Sequence, residues 1–219
     1  MGDIGFYVVG LAYDHQRNTL YASAAKQLIA IDLETGRGKP ATRVSRGKRG
    51  CGEIAFDENG QAYITLIGSD RKKLLASCDL DTNKVKIIGD IGFPDLASME
   101  FVGDVLYGVT GNFFNLGKDG QLIRIDTKTG KGTLVTKTDP LGRWAGMTIY
   151  EPATAITTET PAKVNSNEQS ETTMEKNMQL LTIDTKNNCY VIDPNGMNDL
   201  QQNVPRKVAK PWMKFSRLQ

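Results

Sequence analysis

The stretch QLIAIDLETGRG at positions 27–38 returns as QLIRIDTKTGKG at 121–132, with eight of twelve residues identical and 94 positions between the copies. Each copy holds an aspartate followed by a turn: Asp32-Leu-Glu-Thr-Gly36 and Asp126-Thr-Lys-Thr-Gly130. A third turn, Asp79-Leu-Asp-Thr-Asn83, lies 47 residues from each of these. A fourth, Asp193-Pro-Asn-Gly196, follows Asp126 by 67 residues, one period plus an excess of about 20. A fixed period of this length marks a repeat architecture.

Other words keep the same phase. Ahead of the aspartates stand LYAS (20–23), AYIT (62–65), LYGVT (106–110) and LLTI (180–183). Further upstream come GLAY (10–13), EIAF (53–56), SMEF (98–101) and GMTI (146–149). A last apolar word follows each turn, and GDIGF occurs at both 2–6 and 89–93. Each unit therefore reads as three or four short strands rich in β-branched and aromatic residues, split by Gly, Asn and Asp turns. The turn aspartates are expected to accept backbone amides, with Gly or Asn in the left-handed conformation behind them, and not to bind calcium. No stretch of 10–15 residues in the first 150 shows helical periodicity.

The words LY-x-x-[ST] and [LI]-x-x-ID-x-x-TG-x-[GA] resemble bacterial β-propeller repeats of the YVTN and quinoprotein-like kind, over roughly 1–150 and again over 178–204. The resemblance implies an all-β fold of propeller-type blades. Four repeats of about 47 residues, each of four antiparallel strands, are expected. Quinoprotein repeats usually place a Trp after the turn, and none stands there in this chain, so neither a quinone nor any other cofactor is expected. The signatures of WD40 blades are missing as well. Blades one to three and the first strand of blade four occupy 1–150. A disordered polar insertion follows at 151–177, the rest of blade four at 178–204, and a basic, aromatic arm at 205–219. The early GDIGF matches the end of the second repeat, as if the chain began where a preceding blade would finish. The ring would then belong to a longer propeller or be completed by another chain.

Composition excludes several classes. With 27 Lys and Arg against 25 Asp and Glu, the net charge of +2 does not call for a nucleic acid partner. No apolar run reaches the roughly 20 residues of a membrane helix. Cys51, Cys78 and Cys189 make neither a disulfide framework nor a zinc pair. Their odd number, and a start without a basic and apolar leader, favour the cytoplasm. His15 is the single histidine, in a polar hairpin, and supports no catalytic triad. GVTGNFFNLGKDG (108–120) lacks the Lys-Ser/Thr ending of a phosphate-binding loop and reads as an enlarged hairpin.

Two places depart from the repeat in a way that suggests binding. In a propeller, the segments leading into the innermost strands surround the central channel. By phase these segments carry Tyr7, Val8, Arg49, Cys51, Glu53, Asp95, Arg143 and Trp144. The other is the arm. There Arg206, Lys207, Lys210, Lys214 and Arg217 alternate with apolar residues that include Trp212 and Phe215, and Pro205 and Pro211 break any helix. The expected function is a non-enzymatic binding or scaffold protein. It would dock a protein partner, or other copies of the chain, through the channel face and the arm. The alternative is a small-ligand-binding or lactonase-like propeller enzyme using the channel. A metal site is not expected: Glu53 and Asp95 are in phase for one, but the first and fourth repeats supply no acid.

Overall fold

The computed structural model describes residues 3–44, 50–68, 72–94, 96–111, 120–137, 144–150, 179–184, 189–192 and 206–207. All regular structure in these residues is β. Blade one is the sheet β1 (Gly10–Asp14), β2 (Thr19–Ala24), β3 (Gln27–Ile31) and β4 (Gly38–Arg43), paired in sequence order. Blade two is β5 (Cys51–Phe56), β6 (Ala62–Ile67), β7 (Lys73–Asp79) and β8 (Lys84–Asp90). Blade three is β9 (Leu96–Val102), β10 (Val105–Thr110), β11 (Gln121–Ile125) and β12 (Gly132–Lys137). Blade four is β13 (Trp144–Tyr150), β14 (Gln179–Asp184), β15 (Cys189–Ile192) and β16 (Arg206–Lys207). Every pairing is antiparallel. The expected all-β, four-by-four architecture is the one observed.

The repeated aspartates build the turns as their chemistry requires. Asp32 Oδ1 accepts the Glu34 and Thr35 amides, both at 2.9 Å. Asp79 accepts those of Asp81 and Thr82 at 3.0 Å. Asp126 accepts Lys128 at 2.7 Å and Thr129 at 3.0 Å. These amides hold the three carboxyls below their usual range, the Thr35, Thr82 and Lys128 amides contributing most in turn. Gly36, Asn83 and Gly130 then turn the chain at φ of 74°, 56° and 79°.

Blades stack through their first strands: β1 lies against β5, β5 against β9, and β9 against β13. Within each strand the alternate side chains serve the two neighbouring blades. Between blades one and two, Ala12, Tyr21 and Leu28 meet Cys51, Ile54, Phe56 and Ile64. Between two and three, Ala55, Tyr63 and Leu75 meet Met99, Phe101 and Ile123. The tyrosine of the second strand packs on the aromatic that ends the next blade's first strand: Tyr21 on Phe56 at 5.4 Å between ring centroids, Tyr63 on Phe101 at 5.3 Å. Such tilted pairs are worth about 0.5–1.5 kcal/mol beyond the area they bury.

Polar clasps join the same blades. Asp14, wholly buried, takes a 2.8 Å bond from Arg17, which also donates to Gly60 O at 2.9 Å across the gap to blade two. The GDIGF echo is a second clasp, used twice. Ile4 O accepts the Gly38 amide at 3.0 Å, and Ile91 O accepts the Gly132 amide at 2.9 Å. Gly5 and Gly92 both sit at φ 76°, each following an aspartate that caps its amide.

One expectation moves. The fourth strand of blade four is Arg206–Lys207, paired with Val191 and Tyr190, so the sheet reaches into the segment assigned to the arm. The insertion at 151–177 joins β13 to β14 and lies outside the described residues, as do the enlarged hairpin at 112–119 and the tail beyond Lys207.

The Asp126 turn can be tested by two substitutions of different kind. A Cβ at Gly130 would stand 2.8 Å from the Gly89 main chain, which cannot swing aside. Gly130→Ala should therefore lose more than the about 1–2 kcal/mol of the left-handed conformation alone. Asp126→Ala, which removes hydrogen bonds at a solvent-exposed turn, should lower the melting temperature only by a few degrees. Thermal melts check both, and a Gly130→Ala protein as stable as Asp126→Ala would contradict the close approach.

Candidate functional site

At the start of the first strand of blades two, three and four the ladder shifts register. The β5–β6 register shifts between Cys51 and Ile54, which takes the Glu53 amide out of strand pairing. Thr65 Oγ1 accepts that amide at 2.8 Å. In blade one, Ser23 Oγ accepts the Gly10 amide at 2.9 Å and donates to Gly52 O, tying the two blades together. Ser23 and Thr65 are the hydroxyls that end the LYAS and AYIT words. Their task is to satisfy main chain at the start of the innermost strands. Gly10 itself leaves room for the neighbour: a Cβ there would meet Glu53 Oε2 at 3.0 Å.

Glu53 sits in this junction with its carboxyl pushed up to about 8 by burial, a shift that Lys73 only partly opposes. Glu100, on β9, is pushed up to about 7 by burial, against a hydrogen bond from the Phe101 amide at 3.2 Å. The two acids are not repeat equivalents. Glu100 stands opposite Tyr107, and the matching residue opposite Tyr63 is Ala55. They are two separate, partly buried acids on neighbouring blades. Among the described residues, no three His, Cys, Asp or Glu side chains stand close enough to share a metal ion.

The residues singled out from the sequence fare unequally. Tyr7 precedes β1 and is 87% exposed. Glu53 and Cys51 fall together on β5, but Cys51 is buried in the core between blades one and two. Its thiol is pushed up to about 12, first by burial and then by Cys78 and Glu53. Cys51 thus packs between blades one and two. Trp144 begins β13, and Arg206 and Lys207 form β16. Arg49, Asp95, Arg143, Lys210, Trp212, Lys214 and Phe215 lie outside the described residues. Sequence reasoning passed over Glu100, Ser23 and Thr65. The hydroxyls were visible as a repeated letter, whereas the burial of Glu100 depends on contacts that no local pattern encodes.

No protein-family model and no curated protein matches the chain. Solved structures do. A chain in the crystal structure of a nidogen/laminin complex is similar at TM-score 0.57 and 15% identity, covering 86% of this chain and 61% of that one. An auxiliary nutrient-binding protein from Bacteroides ovatus is similar at TM-score 0.60 and 9% identity, covering 95% and 48%. The fold is β-propeller-like. The chain spans about half to three-fifths of the length of these propeller-like structures. Among the described residues, no helix is long and apolar enough to cross a membrane.

The buried acids give a pH signature. An unfolded Glu ionises near 4.5, but folded Glu53 keeps its proton to about 8 and Glu100 to about 7. Between these values the folded state holds protons that the unfolded state has lost. The stability they contribute is complete below about 4.5 and disappears as pH rises towards 8. Glu53→Gln should therefore melt close to wild type at pH 5. At pH 9 it should be more stable than wild type by on the order of a few kcal/mol. Parallel melts that stay superimposed across that range would show that Glu53 ionises freely in the folded protein.

Proposed function

We propose that the chain is a non-enzymatic binding module that docks a protein partner through its channel face and C-terminal arm. The observation that carries this reading is Tyr7, an aromatic 87% exposed on the segment leading into an innermost strand. Aromatics that are large, rigid and tipped with a hydroxyl are the common anchors of protein interfaces. Trp144 begins the innermost strand of blade four, and the basic arm with Trp212 and Phe215 supplies further anchors and cations that steer approach. The two similar solved structures support the reading in a general way: one is of a protein–protein complex, the other of a nutrient-binding protein.

Glu53 and Glu100 favour a second reading, a small-ligand binder or hydrolase. Carboxyls that change protonation near neutral pH suit general acid–base work. Titration with divalent cations separates the two. Specific binding lost in Glu53→Gln would support the ligand reading, and Asp95 is in sequence phase to join such a site.

The binding reading is tested by affinity capture with wild type, Tyr7→Ala and Trp212→Ala. Both variants should keep the wild-type melting temperature and lose most of the captured partner. Full-strength capture by both would overturn the assignment of these anchors.

A further inference from the structure

The turn between β5 and β6, Asp57-Glu58-Asn59-Gly60, combines a reactive pair of residues with a contact between blades. Asp57 organises it. Its carboxylate accepts the Asn59 amide at 3.0 Å and the Gln61 amide at 2.8 Å, and its carbonyl accepts the Gly60 amide at 3.0 Å. Gly60 sits at φ 75° and has no side chain to shield its nitrogen. Asn59 is exposed, and among the described residues its side-chain amide has no hydrogen-bond partner. The hairpin of blade one grips the same turn. Gln16 Nε2 donates to Glu58 O at 2.8 Å, and Arg17 donates to Gly60 O at 2.9 Å and to Asp81 at 3.3 Å. The fit is close: a Cβ at Gly60 would stand 3.0 Å from Gln16 Cβ. The two carbonyls that blade one holds therefore flank Asn59.

We propose that Asn59–Gly60 is a self-modification site, and that its conversion to isoaspartate releases the grip of blade one on blade two. Asparagine is a chemically labile residue. The Gly60 main-chain nitrogen attacks Asn59 Cγ and forms a new C–N bond. Ammonia leaves, carrying the proton that the nitrogen gives up, and a succinimide ring remains. Water then opens the ring. Opening at the main-chain carbonyl gives isoaspartate, and opening at the other carbonyl gives aspartate. Solvent water is the one co-reactant. Closure of the ring requires the Gly60 amide to leave Asp57 O, a single hydrogen bond at the tip of a hairpin. Isoaspartate then adds a methylene to the main chain just before Gly60 and a carboxylate beside Asp57 and Glu58. Glu58 O and Gly60 O lose the spacing at which Gln16 and Arg17 hold both.

The test ages the full chain in mildly alkaline buffer beside Asn59→Ser and Arg17→Ala. Peptide mapping by mass spectrometry then distinguishes asparagine, aspartate and isoaspartate at position 59. Folded wild type should accumulate isoaspartate there, faster as pH rises because the attacking nitrogen must lose its proton. Aged wild type should melt several degrees below fresh protein, whereas Asn59→Ser should melt alike before and after ageing. Arg17→Ala, whose grip is already open, should lose less on ageing. Gln16→Ala, at an exposed position, makes the same comparison should Arg17→Ala fail to fold. Wild type that keeps its Asn59 amide while the urea-unfolded chain converts would overturn the site. Converted wild type that melts like fresh protein, or an equal loss in Asn59→Ser or in the grip variants, would overturn the release.

Discussion

The first three blades are joined by the stacking of one blade's second-strand tyrosine on the aromatic that ends the next blade's first strand. A single four-stranded sheet of this size has two faces and cannot bury both. Its stability comes from its neighbours. The Tyr21–Phe56 and Tyr63–Phe101 contacts lie within the clusters between blades, together with the aliphatic residues of the adjoining strands. The polar clasps of Arg17 and of the GDIGF segments then set the angle and spacing at which the faces meet.

Features whose cause is local were legible in the sequence. The D-x-x-T-G turns need only the aspartate, the amides two and three residues on, and a residue tolerant of positive φ. The echo of GDIGF was equally visible, and its meaning is a carbonyl held at the same place against the fourth strand of the following blade. Features whose cause is the meeting of blades were not legible. Cys51 follows a basic linker, and nothing local shows that it packs between blades one and two. Glu53 stood out by phase, but its burial beside Gly10 of the neighbouring blade has no local signal. The fourth strand of blade four forms at Arg206–Lys207, just past the apolar word at 200–204 that the repeat phase marks for it.

The same distinction explains the candidate site. Hydroxyls at Ser23 and Thr65 recur because each accepts a main-chain amide at the start of a first strand, a structural need met in two blades. Glu53 and Glu100 do not recur. They occupy unlike positions, and burial raises both carboxyls on the inner strands of blades two and three.

The claim that aromatic contacts between blades hold the fold is tested most directly by a double-mutant cycle on Tyr63 and Phe101. Tyr63→Leu, Phe101→Leu and the double variant, unfolded in denaturant, should show a coupling energy of about 1 kcal/mol. Strictly additive effects would contradict the account, because the two rings would then stabilise their own sheets and not the stack.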